Sequence, residues 1–167
     1  MAVPATAQSF ADYPRTKIEY YTVSATNPRD LRRQIRNRGP GDSGGGTVTA
    51  RAFYTFKWTL RTNGPKRCKA RLTIDSKVIF PKHSNPNGLS PELRADWERF
   101  IRELERHEMQ HIRLAYRALP KLRAALENGH CKSAYNRAAK VEAALNRQQR
   151  AFDAGPEGAV AHGMLFP

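Results

Sequence analysis

Residues 90–119 of this chain read SPELRADWERFIRELERHEMQHIRLAYRAL, and this stretch decides the fold of the second half. Ser90, Pro91 and Glu92 are typical of a helix start, as N-cap, first helical residue and first-turn acid. A stripe then recurs at alternating steps of four and three residues: Leu93, Trp97, Phe100, Leu104, His107, His111, Leu114 and Ala118. That period is one face of an α-helix, so we expect a long helix with a buried seam. Pro120 is expected to kink or break the helix just before it.

Within this seam lies the motif HEMQH, residues 107–111. Two histidines four residues apart project from one face of a helix about one turn apart, so His107 and His111 can reach one metal ion. Zinc (Zn²⁺) binds imidazole nitrogens and, in catalytic sites, keeps one coordination position open for water. Glu108 lies next to the first histidine, where its carboxylate can take a proton from that water as general base. The motif therefore predicts a zinc site that activates water for hydrolysis.

A second long helix is predicted after Cys131. Its seam contains Ala134, Ala138, Val141, Leu145, Gln148 and Phe152. The turn at residues 127–129 is short enough to join antiparallel neighbours. Counting outward from that turn, His111 should face Gln148, and His107 should face the last turn of the second helix.

The third metal ligand is sought where the second helix ends. Asp153 lies near the level of His107 by this count, and the chain that follows it contains His162. His162 is the first choice as third ligand, because imidazole is a good zinc ligand and the intervening tail is long enough to return to the metal. Asp153 is the alternative ligand, or else a support that accepts the outer N–H of a ligating histidine. Weaker candidates are Glu142, His130 and His83.

The first half of the chain has the two-residue period of strands. Residues 17–23, 47–60 and 69–80 are predicted to be strands of a small antiparallel sheet. Between the first two strands, Asn27-Pro28 begins a short basic helix that ends at Gly39-Pro40. Residues 1–15 contain little pattern and are interpreted as a flexible lead-in. The sequence thus predicts one α+β domain over residues 16–167, a sheet packed on two long antiparallel helices.

The formal net charge of +14 is the strongest global feature. Five arginines crowd the short helix: Arg29, Arg32, Arg33, Arg36 and Arg38. Such charge favours polyanions, so the alternative function is a basic polyanion-binding module with a structural metal or none. No zinc-finger spacing, aromatic RNA-binding strand or Gly-rich phosphate loop accompanies the charge. No apolar run approaches the roughly 20 residues of a membrane span, so no such span is expected.

The chain has two cysteines, Cys68 and Cys131. They lack metal-pair spacing, so they are either a disulfide or two buried thiols. Both are predicted beside turns, where a cross-link is easily built, and the disulfide is therefore favoured. A disulfide indicates an oxidising compartment, so we expect a periplasmic or secreted protein whose signal peptide does not appear in this sequence.

From about Tyr20 to its C-terminus, the chain resembles a bacterial family of predicted secreted or periplasmic zinc-dependent proteases, catalogued as a domain of unknown function. The resemblance rests on the tyrosine-rich first strand with Leu31 and Gly39-Pro40, the Trp58 strand with Cys68, Trp97 and Phe100 before His107-Glu108-Met109-Gln110-His111, Cys131, residues 148–153, and His162-Gly163.

This resemblance implies a zincin-like fold, a zinc-dependent peptidase activity and a peptide or protein substrate, with a setting at the cell envelope. It also includes both cysteines of the predicted disulfide. One departure concerns Phe152-Asp153, where the family pattern leads us to expect a Tyr-Asp pair. If that tyrosine stabilises an oxyanion in the family, Phe152 lacks the hydroxyl to do so.

Overall fold

The computed structural model describes residues 9–41, 45–62 and 68–156. In chain order its strands and helices are β1 (Thr16–Val23), α1 (Pro28–Arg38), β2 (Arg51–Thr62), β3 (Cys68–His83), α2 (Pro91–Glu127) and α3 (Ala134–Ala154). Short 3-10 turns cover Phe10–Asp12, Pro86–Gly88 and Cys131–Ser133. The α+β class predicted from the sequence is confirmed, as is the pair of long helices that pack on each other.

The helix starts follow from their caps. The Asn27 side chain accepts a hydrogen bond from the Asp30 N–H, 2.9 Å away, at the start of α1. At the start of α2, the Ser90 hydroxyl accepts one from the Leu93 N–H. These bonds satisfy N–H groups that have no partner inside the helix, so each helix begins at the residue that the sequence indicates.

The sheet is mixed, with the strand order β1-β3-β2. β2 and β3 pair antiparallel, from Arg51 opposite Ile79 to Thr62 opposite Cys68. β1 pairs parallel to β3, so the prediction of an all-antiparallel sheet was wrong for this strand. The alternation of side chains is the same in both kinds of pairing, so the sequence pattern could not distinguish them. The direction of β1 relative to β3 depends on the connection between them. α1 and the segment after it take the chain from β1 to the other edge of the sheet, where β2 begins, and β3 then returns between the two strands, parallel to β1.

One face of the sheet packs on α2 and α3. The buried seam of α2 includes Leu93, Trp97, Phe100, Leu104, His107, Ile112, Ala115 and Ala118. The first of these pack with Leu31 and Ile35 of α1 and with Phe80 of β3 in one core cluster. The predicted stripe is therefore the buried face of α2 from Leu93 to His107, but beyond that point His111 and Leu114 are only half-buried, and Ile112 and Ala115 are buried instead.

α2 continues past Pro120 to Glu127, so the predicted break near this proline was wrong. A proline inside a helix removes one hydrogen bond and costs about 3 kcal/mol. Leu122 and Leu126, beyond it, are fully buried against Ala134 and Ala138. Burial of a leucine side chain stabilises by roughly 1.5–3 kcal/mol, so these two leucines together offset the proline.

The predicted flexible lead-in, residues 1–15, lies partly on the core. The Phe10 ring meets Phe80 at a centroid distance of 5.8 Å. Tyr13 is buried and its ring lies 5.0 Å from that of Tyr116. From Ser9 onward the lead-in is thus packed structure, because two aromatic rings find apolar partners that no local pattern reveals; residues 1–8 lie outside the described range.

Cys68 and Cys131 form a disulfide, as predicted, with their Cα atoms 5.6 Å apart. The bond joins the first residue of β3 to the turn that precedes α3. A second tie lies close by, because the Glu127 carboxylate accepts a hydrogen bond from the Ala70 N–H. The end of the helix pair is therefore attached to the sheet by one covalent link and one polar link.

We expect the double variant Cys68→Ala, Cys131→Ala to lose about 4 kcal/mol of unfolding free energy, because the bond closes a loop of 63 residues in the unfolded chain. Urea unfolding of the oxidised protein and the double variant measures the difference. Wild-type protein reduced under the same conditions is the control and should match the double variant. A difference below about 1 kcal/mol would show that the bond constrains the unfolded chain far less than this model holds.

Candidate metal centre

Two imidazole nitrogens meet on the inner side of α2. His107 and His111 lie one turn apart, and their Nε2 atoms are 3.0 Å from each other. His107 is buried and His111 is half-buried. The i, i+4 spacing in an uninterrupted helix produces this approach.

A carboxylate from α3 completes a group of three. Asp153 Oδ1 lies 2.9 Å from His111 Nε2 and 3.5 Å from His107 Nε2. Two donor atoms bound to one tetrahedral zinc at 2.0–2.1 Å are about 3.3 Å apart. The donor set of two imidazoles and a carboxylate, at these separations, therefore fits a zinc ion.

His162, the first choice as third ligand from the sequence, lies outside the described residues. Its role stays a prediction. Among the residues that the structure describes, His107, His111 and Asp153 are the group of His, Cys, Asp and Glu side chains with metal-ligand spacing. Of the weaker candidates, Glu142 and His130 are not members of this group.

His83 is a structural histidine. Its ring is buried, Nε2 lies 3.0 Å from the Ala25 carbonyl oxygen, and Nδ1 accepts a hydrogen bond from the Asn85 N–H. Both ring nitrogens therefore hold the segment after β3 in place, and the ring also packs edge-on against Trp97.

Glu108 is buried between α2 and the sheet, with 5% of its surface exposed. Burial raises the pKa of its carboxyl group to about 8, a hydrogen bond from the Ala52 backbone and the charge of Arg51 oppose this, and the negative charge of Asp153 adds to it. A divalent cation beside the carboxyl group would favour the ionised form. The environment of Glu108 thus suits a group that holds and releases a proton near neutral pH.

The raised pKa of Glu108 should appear in the stability of the metal-free protein. Between its ordinary pKa of 4.5 and about 8, the folded state holds a proton that the unfolded state has lost. Stability must therefore fall as pH rises through this window. We expect Glu108→Gln to gain melting temperature relative to wild type as pH rises from about 5 to 9 in EDTA. Parallel curves for the two proteins would contradict the raised pKa.

Gln149 hydrogen-bonds both the ring and the backbone of His111. Its Oε1 atom lies 2.6 Å from His111 Nδ1, and its Nε2 donates to the His111 carbonyl oxygen at 3.0 Å. An acceptor at Nδ1 keeps the proton on that nitrogen and leaves Nε2 with a free lone pair for a metal.

Gln149 lies one residue beyond the position predicted to face His111. The predicted residue was Gln148, but Gln148 is exposed and Gln149 is buried. The seam of α3 steps by four residues from Leu145, where a step of three was assumed. Both steps occur in a helical stripe, so only the packing of α3 on α2 could decide between them.

We expect Gln149→Leu to weaken zinc binding by about 10–100-fold, because the orientation and tautomer of His111 are no longer fixed. Gln148→Leu is the matched control and should bind zinc like wild type. Competition with a chromogenic chelator gives both affinities. Equal affinities for the two variants would remove Gln149 from the site.

Phe152 covers the two histidines. Its ring stacks on His107 at a centroid distance of 4.9 Å and meets His111 edge-on at 5.1 Å. Tyr54 of β2 donates to the Asn146 side chain at 3.2 Å and hydrogen-bonds Gln149. Tyr54 thus supports the residue behind His111.

A family model described as "Bacterial protein of unknown function (DUF922)" matches residues 18–163. No curated protein and no solved structure matches significantly.

Proposed function

This chain belongs to that bacterial family of unknown function, and we propose that it is a zinc-dependent hydrolase that cleaves peptide bonds. The observation that carries the proposal is the convergence of His107, His111 and Asp153 within 4.8 Å of one another, near enough to the buried Glu108 for the charge of Asp153 to raise the pKa of its carboxyl group. Two imidazoles, a carboxylate and an adjacent proton acceptor are the parts that metal-assisted hydrolysis needs.

In this proposal, His107 and His111 would hold the ion through Nε2, and Asp153 would hold it through Oδ1. A zinc ion held there would supply a water molecule of lowered pKa. Glu108, which the cation would keep ionised, would accept the proton of that water and deliver it to the leaving amine. Gln149 keeps His111 in the tautomer that binds metal.

We assign Asp153, and not His162, as the third ligand, because Asp153 Oδ1 lies at ligand separation from both imidazoles. The sequence also suggested that Asp153 could instead accept the outer N–H of a ligating histidine. At His111, Gln149 has that role. An Asp ligand leaves the zinc site with a charge of about +1, so the water is acidified less than by three histidines.

The disulfide between Cys68 and Cys131 supports an extracytoplasmic setting for this activity. We propose a periplasmic or secreted enzyme whose substrates are peptides or proteins, including those of the cell envelope. Within the described ranges, no helix is both long and apolar enough to cross a membrane.

Metal content tests the proposal directly. Protein purified from zinc-supplemented medium and dialysed should carry about one zinc per chain by elemental analysis, because three ligands converge on one position. The His107→Ala, His111→Ala double variant is the control and should carry none. Zinc that is equally low in both proteins would overturn the proposal.

A further inference from the structure

The face of the sheet turned away from the helices carries a concentrated positive charge. In β3 alternate residues from Cys68 to Phe80 pack towards α2 and α3, so the residues between them form the opposite face. We call this the outer sheet face; its charged members are Lys17, Glu19, Arg51, Lys57, Arg61, Lys69, Arg71, Asp75 and Lys77. Seven of these nine are basic, whereas α2 is nearly balanced, with eight basic and seven acidic residues.

The two acidic residues of the outer sheet face form ion pairs only with basic residues away from the hairpin. Asp75 pairs with Arg15 at 2.5 Å and with Lys57 at 2.7 Å. Glu19 pairs with Lys77 at 3.1 Å.

The basic residues at the hairpin end have no such partners. No acidic side chain in the described part of the chain lies within ion-pair distance of Arg61, Lys69 or Arg71. Arg61 and Lys69 are directly opposite each other in the antiparallel register, and all three side chains are exposed. Three like charges this close destabilise the free protein, and an anionic partner would relieve the repulsion.

The composition of the outer sheet face distinguishes between anionic partners. Single-stranded nucleic acid is bound by aromatic rings on which bases stack. Phe53 is the aromatic residue of this face, and its ring is capped by Arg51 and Lys77 at 4.9 and 5.4 Å. The neutral residues between the charges near the hairpin are threonines, Thr55, Thr59 and Thr73, and Ile79 lies between Glu19 and Arg51. The outer sheet face thus offers many flexible basic side chains but no free aromatic ring on which a base could stack. Such a face suits a partner whose negative charge is spread over a surface.

We propose that the outer sheet face docks the protein on an anionic phospholipid bilayer, with Arg61, Lys69 and Arg71 as its principal contacts. Each basic side chain near such a surface strengthens binding roughly fivefold. The metal centre lies on the other side of the sheet, since Ala52 and Tyr54 of β2 contact Glu108 and Gln149 there. Docking therefore leaves the metal centre uncovered and does not rest on the proposed hydrolysis.

The arginines of α1 are less available, although the sequence draws attention to them first. Arg33 pairs with Asp30 at 3.0 Å, and Arg38 donates to the Thr22 carbonyl oxygen. They provide a charge-matched control on a different element. The variant Arg29→Gln, Arg33→Gln, Arg36→Gln removes the same charge as Arg61→Gln, Lys69→Gln, Arg71→Gln.

The experiment is co-sedimentation of the full chain with vesicles of phosphatidylglycerol and phosphatidylcholine. We expect wild type to bind, the outer-face variant to lose roughly 100-fold in partitioning, and the α1 variant to lose less than about tenfold. Vesicles of phosphatidylcholine alone should bind none of the three proteins. Equal losses in the two variants would show attraction by net charge alone, and failure of wild type to bind anionic vesicles would also overturn the proposal.

Two further measurements separate bilayer docking from a loss of folding and from nucleic-acid binding. Neither variant should unfold at a lower temperature than wild type, because all substituted side chains are exposed, and the outer-face variant should unfold slightly higher because its like-charge repulsion is removed. Binding of single-stranded DNA, measured in the same buffer, should be weak and lowered equally by both variants. DNA binding that is tight and lost only in the outer-face variant would assign the face to nucleic acid and contradict the bilayer. Zinc content is read separately, so a protein that carries zinc and does not bind vesicles fails this proposal alone.

Discussion

Glu108→Gln is expected to lower hydrolysis roughly 1,000-fold or more while zinc stays bound at about one per chain. The amide keeps the size of the buried side chain but cannot accept the proton of the attacking water. Zinc should remain because Glu108 is not a member of the ligand group His107, His111 and Asp153. Turnover of a labelled, denatured protein substrate, with zinc measured on the same preparation, gives both quantities.

Two comparisons make this result specific. Glu105→Gln removes an exposed carboxylate one turn earlier on α2 and should retain full activity. His107→Ala or His111→Ala should lose zinc and activity together, since each removes a donor atom. If Glu108→Gln retains near wild-type turnover, water activation by this carboxylate is wrong even where zinc is present.

The second large effect concerns the third ligand. We expect Asp153→Asn to weaken zinc binding by more than about 100-fold, beyond the range typical of residues that only support a ligand. The physical reason is the loss of a negative donor that lies 2.9 Å from His111 Nε2. Affinity is measured by competition with a chelator, beside Glu142→Gln as a control that removes a carboxylate elsewhere on α3.

His162→Ala is the discriminating variant. With Asp153 as third ligand, this change should weaken zinc binding less than about tenfold, the lower limit for supporting residues. The reverse ordering, with a severe loss for His162→Ala and a mild one for Asp153→Asn, would assign the ligand to the tail histidine, as the sequence alone suggested. Severe losses in both would indicate a four-ligand site and contradict an open position for water.

Much of the metal centre could be predicted without coordinates. His107, Glu108 and His111 are local in sequence, and the helical period alone places the two imidazoles on one face. The short turn at residues 127–129 forces α3 to return along α2, so Asp153 could be placed near His107 by counting. Those inferences depend only on helix geometry, which is the same in every protein.

Other parts of the site could not be predicted, because they depend on how separate elements meet. A shift of one residue along α3 separates exposed Gln148 from buried Gln149, and only helix packing sets that shift. The contact of Glu108 with Ala52 joins a helix to a strand more than fifty residues away, and it contributes to the environment that sets the pKa. No local pattern contains such information.

Local sequence patterns were enough to predict the three strands, the starts of α1 and α2 with their caps, the histidine pair, the disulfide partners and the α+β class. These follow from periodicity, from cap chemistry and from the presence of only two cysteines. Three features depend on the packed fold: the parallel pairing of β1, the passage of α2 through Pro120 and the packing of Tyr13 on Tyr116. The pairing of β1 follows from the connection through α1, whereas the other two are settled by burial against residues distant in the chain, whose free energy exceeds the local preferences of the sequence.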